Sequence, residues 1–426
     1  MKKLSALFLC ALLSLQAWSQ LSIEECLRLA EENYPLIKKC DLVAKTRTLN
    51  LSDINKSWLP KITAYGQATA QNSVQDLPDA LTGMLSQMGQ SFEGLGHVQY
   101  KIGVDISQNI WDGGASKSRR AIERANSDVS ETSLEVQMYA VREKVENLFF
   151  GILLMKEQER QLEASSALLE ANLRRMQSMV DNGTATQSDA DMIEAQLLTL
   201  RQQLVEARET SGSYRRMLQL YIATPLEGVE LITPAAELPD KLTSDRPELK
   251  LLDARTAANN ARLTAIGASV MPKIGLFAQA YYGYPGFNYF ESMKDRSMSF
   301  NAMAGVKLSW NIDSFYTRKN ARSKIHNSNA DIETERELFL FNTELKTTSQ
   351  QSAISSLRKV ISDDARIVGL RTRVRKTAES QLTNGIIDAT DLLGKITDET
   401  RARLNASFHE IQLLQKIYQL KYTLNQ

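Results

Sequence analysis

A pattern that occurs twice constrains this chain more than anything else in its 426 residues. Each copy reads strand, tight turn, very long helix, Asn-Gly break, shorter returning helix. In the first copy the strand is 98–110 and the turn is Trp111-Asp112-Gly113-Gly114. The outgoing helix is 116–181, the break Asn182-Gly183-Thr184 and the return 187–222. In the second, the strand is 299–312, the turn opens at Asp313-Ser314 and the outgoing helix is 314–383. The break is Asn384-Gly385-Ile386 and the return 387–424. Gly and Asn tolerate the left-handed conformation that ends a helix. Asp189 and Asp391, each six residues after its glycine, stand where the next helix starts and favour its positive end. At 1.5 Å per residue, about 66 helical residues span about 100 Å. That length suits a rod or a tube rather than a compact globule.

The copies extend upstream. Pro35-Leu36-Ile37-Lys38 matches Pro247-Glu248-Leu249-Lys250, and Pro60-Lys61-Ile62 matches Pro272-Lys273-Ile274, both 212 positions apart. Downstream, Ile106 matches Leu308 and Gly183 matches Gly385, both 202 apart. The ten-residue difference falls between the two strands of each half, so the loop over 72–97 is the longer one, as a surface loop tolerates. The chain is a duplication. Residues 20–222 form the first repeat, with a helical region at 22–57 and a first strand at 61–71. Residues 246–426 form the second, with a helix at 246–270 and a first strand at 273–284. Residues 223–245, holding Pro225, Pro234 and Pro239, read as an irregular crossover with a short strand near 229–232.

The long helices carry a mainly apolar row in alternating steps of three and four: Leu148, Ile152, Met155 and Leu162, interrupted by Glu159, on one, and Ile193, Leu197, Leu200, Leu204 on its return. A sustained 3.5 period means helix packed on helix with a supercoil, and a soluble coiled coil satisfies it equally. The strands add the second constraint. Val98, Tyr100, Ile102, Val104 and Ile106 alternate with Gln99, Lys101, Gly103, Asp105 and Ser107; Phe300–Ile312 and the row from Ile274 to Tyr282 do the same, and Ile62–Ala70 more weakly. Roughly ten-residue segments, apolar on one face and polar on the other, mark transmembrane β-barrel strands. A soluble sandwich also alternates, but these four strands have no partner sheet. Trp58, Trp111 and Trp310 stand at their helix-side ends like an interfacial girdle. Four strands cannot close a barrel, so copies of the chain must pool theirs, and a closed ring is the symmetric way.

Residues 1–19 read as a secretory signal peptide cut after Ser19: Lys2 and Lys3, an apolar run from Leu4 to Leu15, then Ala17-Trp18-Ser19. Its removal takes two of the 51 basic residues and leaves 49 against 50 acidic ones. So even a balance argues against nucleic acid as a partner. Cys26 and Cys40 could pair, but nothing depends on it. No catalytic, cofactor or metal constellation emerges. His97, His326 and His409 lack ligand spacing, and Glu24-Glu25 and Asp363-Asp364 read as solvated charge.

The Pro-led strand starts, the Ile-Trp-Asp-Gly-Gly turn and the twin Asn-Gly breaks, each followed by an Asp, together resemble the TolC family of outer-membrane efflux proteins across nearly the whole mature chain. The resemblance implies a mainly helical, homotrimeric channel. A 12-stranded barrel in the lipid of the outer membrane would continue as a 12-helix tunnel in the periplasm. It implies passive conduction for an efflux or type I secretion system, with an inner-membrane pump and a periplasmic adaptor as partners. The breaks Asn182-Gly183-Thr184 and Asn384-Gly385-Ile386 would form the tip where the adaptor docks. Asp391, joined by Asp189, would constrict the pore. The chain departs from the family at Met179 and Gln381, where an Arg is common, and at Gly394, where a second acid is common. A periplasmic adaptor is the alternative, but it would carry one hairpin between lipoyl-like β-domains. A diffusion porin would carry many more strands and no such helices.

Overall fold

The computed structural model describes residues 20–239, 241 and 243–426; the expected signal peptide and its cleavage point lie outside them. In chain order the elements are β1 (Gln20–Leu21), α1 (Ile23–Asn33), α2 (Ile37–Lys56), β2 (Lys61–Ala70), α3 (Asp79–Gln87), β3 (Val98–Trp111), α4 (Ala115–Asp181), α5 (Gln187–Ile222), β4 (Glu230–Leu231), α6 (Pro247–Ser269), β5 (Lys273–Tyr284), α7 (Tyr289–Lys294), β6 (Ser299–Ser309), α8 (Ser314–Thr383) and α9 (Ala389–Leu424).

Three expectations need correcting. The helical region expected over 22–57 is divided into two helices. Pro35 has no N–H to give and disfavours the helical conformation at the residue before it, and Tyr34 is accordingly extended (φ −64°, ψ 131°). The strand expected over 299–312 ends at Ser309, which pairs with Lys273, the first residue of β5. Pro272, next in line, has no N–H to extend the ladder, and Trp310 instead donates its indole N–H to the Val270 carbonyl at 3.0 Å. The last helix starts at Ala389 rather than 387, with Asp388 as its cap. Helices α3 and α7, inside the loops that follow β2 and β5, were not anticipated; at nine and six residues each is too short for a period to show.

The chain divides into two compact units. One comprises 42–130 and 252–333. Its centre is an antiparallel sheet in the order β2-β3-β5-β6, so within the sheet the repeats meet at the β3–β5 ladder. The register puts all four apolar rows on one face: Ile62 opposes Ile106, Val104 opposes Ala280, and Tyr282 opposes Phe300. That face is bare, with Ile102 64% and Phe300 71% exposed. A bulge at Ile110 shifts the register so that Trp111, rather than its neighbour, opposes Ile274 and joins the apolar face. The turn into α4 is made by Asp112, whose carboxylate accepts from the N–H groups of Gly114 (3.0 Å) and Ser116 (2.7 Å). Burial pushes the Asp112 carboxyl up, but these bonds and nearby Arg119 outweigh it and hold it below the usual range. Gly113 is required twice over: φ is +65°, and a Cβ there would lie 2.5 Å from that of Met271.

The other unit comprises the described residues of 20–41, 131–251 and 334–426. It holds two main apolar cores. The first packs Ile23, Cys26 and Ala30 of α1 against Val145, Phe149 and Ile152 of α4, Leu218 of α5 and Tyr418 of α9. The two-residue parallel pair of β1 and β4 edges it, so the short strand expected near 229–232 is a clip onto Gln20–Leu21. The second packs Leu162, Leu169 and Met176 of α4 with Ile193 and Leu197 of α5, Leu382 of α8 and Leu392 and Ile396 of α9. Leu162, Ile193 and Leu197 are residues of the 3.5 period, and both helical hairpins contribute. Among the described residues no helix is long and apolar enough to cross a membrane.

Candidate functional site

The residues singled out from the sequence fall at the two breaks and on the sheet. At the first break Gly183 has φ +69°. The Gly183 N–H donates to Val180, that of Thr184 to Met179, and the Asn182 amide to Ser178, at 2.9, 2.9 and 2.7 Å. The second repeats the arrangement: Gly385 has φ +70°, and Gly385, Ile386 and the Asn384 amide donate to Leu382, Gln381 and Ser380 at 3.0, 2.9 and 2.8 Å. Both are Schellman-type ends that satisfy the last carbonyls of the outgoing helix. A Cβ on either glycine would meet nothing within 4 Å, so conformation, not space, asks for glycine. The carbonyls of Met179 and Gln381 serve this turn whatever their side chains. Ile386 is 68% exposed, leaving a large apolar side chain bare at the second break.

Past the breaks the copies diverge. Thr186 caps α5 and forms a reciprocal capping box with Asp189. The Asp189 carboxylate accepts from the Thr186 N–H at 2.9 Å and its hydroxyl at 2.7 Å. Those two hydrogen bonds hold the Asp189 carboxyl below its usual range. In α9 the cap is itself an acid: Asp388 accepts from the Asp391 N–H at 2.8 Å. Asp391 is exposed, in the first turn of α9.

Sequence reasoning missed a buried charge cluster between α8 and α9. Glu399, 4% exposed, accepts from Thr372 (2.9 Å), Arg403 (2.7 Å) and Arg375 (2.5 Å). Arg375 also pairs with Glu379 at 2.7 Å. Burial raises the Glu399 carboxyl, but its hydrogen bonds from Arg403, Arg375 and Thr372 win and leave it lowered. The signal was present as an acid interrupting the buried stripe of the return helix. Two pairs read as solvated charge are also only partly so. The Tyr418 hydroxyl donates to Glu24 at 2.7 Å, and Asp364 lies 2.9 Å from His409 Nδ1. Cys26 and Cys40 are both free, and no group of acids, histidines and cysteines among the described residues could hold a metal ion.

On the sheet unit, Trp58 is half-buried in the turn after α2, and its carbonyl accepts from the Gln108 side chain at 3.4 Å. Trp111 and Trp310 are 44% and 53% exposed at the ends of β3 and β6. A chain with a bare apolar sheet face and duplicated helical hairpins matches the outer membrane efflux protein model over residues 28–221. That match spans most of the first repeat.

The fold agrees over most of the chain. It is similar to the outer-membrane channel OprN (12% identity, TM-score 0.70, covering 94% of this chain and 89% of that one). It is similar to the Campylobacter jejuni CmeC outer membrane channel (14%, 0.68, 94% and 85%) and to the Vibrio cholerae outer membrane protein VceC (10%, 0.67, 94% and 94%). Identities this low carry the fold alone. No curated protein matches the chain in sequence. The family is one of passive outer-membrane channels, not enzymes.

Proposed function

We propose that three copies of this chain form an outer-membrane duct that passively conducts solutes delivered by an inner-membrane pump and a periplasmic adaptor. The observation that carries this reading is the four-stranded sheet. Its apolar face is bare, and β2 and β6 each have a partner on one side only. In lipid a bare apolar face is at no disadvantage, but an open edge is costly, because unpaired N–H and C=O groups find no water there. Pooling four strands from each of three chains closes a 12-stranded barrel and removes every edge. Trp111 and Trp310 then stand at its periplasmic interface with Trp58 beside them. The hairpins continue the barrel as a 12-helix tunnel, and the paired breaks form the tip that meets the adaptor, with exposed Ile386 an apolar contact for it. Three exposed Asp391 carboxylates ring the narrowest point, whereas Asp189 is occupied by its capping box.

The test is direct. Detergent-extracted protein should be trimeric by light scattering, fractionate with the outer membrane, and conduct ions in planar bilayers. A stable monomer, or recovery in the soluble periplasm, overturns the reading.

A further inference from the structure

The second face of the sheet has a charge that the channel reading does not use. Cross-strand register places Lys61 opposite Ser107, Thr63 opposite Asp105, and Gln67 opposite Lys101. It continues the face with Asp105 opposite Gln279, Gly275 opposite Lys307, and Lys273 opposite Ser309. This one face therefore carries four lysines against a single acid, and the apolar face carries no charge at all.

Lys101 is held in place rather than left free. Gly103 stands directly between Tyr65 on β2 and Tyr281 on β5. A Cβ on Gly103 would lie 2.7 Å from Tyr281 Cβ and 3.0 Å from the Tyr65 hydroxyl, so the bare backbone is what lets the two rings flank this position. The Lys101 ammonium lies 5.8 Å from the Tyr65 ring centroid and 5.6 Å from that of Tyr281, within cation–π range of both. Gln279 fixes the Tyr65 ring by donating to its hydroxyl at 3.0 Å, and the Tyr281 hydroxyl donates to the Pro285 carbonyl at 3.2 Å. Phe277 and Met303 share the face.

We propose that this face makes the barrel an anion-favouring segment of the duct, with Lys101 its fixed charge, so that the solutes it passes best are anions. The inference rests on the channel reading, because only closure of the barrel turns this face towards a lumen. There the lysines of all three copies line one water-filled wall. Rings of basic side chains select for anions in pores, and the screened fields of several lysines add, where each alone fades over a Debye length of about 8 Å. The proposed Asp391 ring has the opposite sign, so the two ends of the duct would favour opposite ions. The loops beyond the sheet add acids of their own, among them Asp76, Asp79 and Glu93. The decisive quantity is therefore the change on substitution, not the absolute selectivity.

The experiment is the chloride-to-potassium permeability ratio, from reversal potentials of trimers in planar bilayers under a potassium chloride gradient. Replacing Lys61, Lys101 and Lys307 with Gln should lower the ratio by about twofold or more. Lys101→Arg, which keeps charge and ring contact, should leave it unchanged, and Asp105→Asn should raise it. Light scattering confirms that each variant is a trimer, and if the triple variant fails to assemble, Lys101→Gln and Asp105→Asn carry the test. Trimers that conduct with an unaltered ratio in the lysine and Asp105 variants overturn the proposal and leave the duct standing. Wild-type trimers that never conduct overturn the duct and the proposal together.

Discussion

The two helical hairpins share a backbone and differ in what lies between their helices. Helices α5 and α9 are both 36 residues long and 202 positions apart throughout, so each position in one has a counterpart in the other. Leu197, 3% exposed, sits in the apolar core, with Leu173 packed against it. Their counterparts are Glu399 and Arg375, which meet as a buried ion pair. Arg201 and Arg403 are also counterparts. Arg201 pairs with Glu170 at an exposed site, while Arg403 turns onto Glu399. The duplication has exchanged two leucines of an apolar core for a charge cluster without disturbing the turn above it. The lesson is that fold and core chemistry are separable here. Two leucines attract through area, in any nearby register. Glu399 must meet Thr372, Arg375 and Arg403 together, so it accepts few alignments of α8 on α9.

The sharpest way to break this comparison is to give the second hairpin the first one's pair. Removing one partner of a buried ion pair strands the other, at a cost of about 3–5 kcal/mol, whereas replacing both with apolar residues is often neutral or better. Arg375→Leu alone leaves Glu399 buried with only Arg403 and Thr372 bonded to it, so it should cost part of that amount, lower the thermal midpoint of the trimer and release amide protection around 372–403. Arg375→Leu with Glu399→Leu should recover most of the loss. A double variant as unstable as the single would show that the cluster is more than a substitute for Leu173 and Leu197.

A smaller effect is expected at the breaks, and here the copies should agree. Gly183 and Gly385 have nearly the same positive φ and equally open surroundings. Valine at either would be strained by about 1–3 kcal/mol, with no clash to add. The strain should be relieved by local rearrangement of the turn, so Gly183→Val with Gly385→Val should abolish export while trimer assembly and membrane insertion persist. Unchanged export would reject the breaks as the docking tip. Loss from one glycine alone would show that the adaptor reads the two breaks differently, as Thr184 and Ile386 would allow.

The element pattern was legible in the sequence because it is local or periodic. The Asn-Gly breaks are set by φ, the long helices by their 3.5 period, and the strands by their two-residue alternation. The division of α1 from α2 was also written there, in Pro35, although the run of helical residues on both sides concealed it. What stayed hidden depends on partners distant in sequence. The Glu399 cluster needs α8 and α9 side by side. The Trp111 side switch needs the bulge at Ile110. The Lys101 seat needs Tyr65 and Tyr281 brought to either side of Gly103 by two ladders. Asp189 and Asp391 show the limit well, since identical spacing from the glycine gave them one reading and their neighbours Thr186 and Asp388 divide them.

That division supplies the finest test. In the first copy the Asp189 carboxylate accepts two hydrogen bonds from Thr186, and its pKa is lowered in the folded chain. A lowered folded pKa means stability that is complete above the unfolded value, about 3.9, and lost as pH falls through the folded one. Capping interactions are worth about 1 kcal/mol or less at so exposed a site. Amide protection over residues 186–190, corrected for intrinsic exchange, should thus hold from pH 7 to about 4 and fall in more acid solution. Asp189→Asn should flatten that acid-side fall, because an amide oxygen can still accept from Thr186 but does not titrate, and conductance should not change. Asp391→Asn should do the reverse. It leaves the Asp388 cap bonded and local protection unaltered, but it removes three charges from the proposed constriction, so cation selectivity and block by divalent cations should both decrease. If Asp189→Asn altered conductance as much as Asp391→Asn, the two acids would share one role and the division between the hairpins would end above the breaks. If neither altered it, both would simply be helix starts.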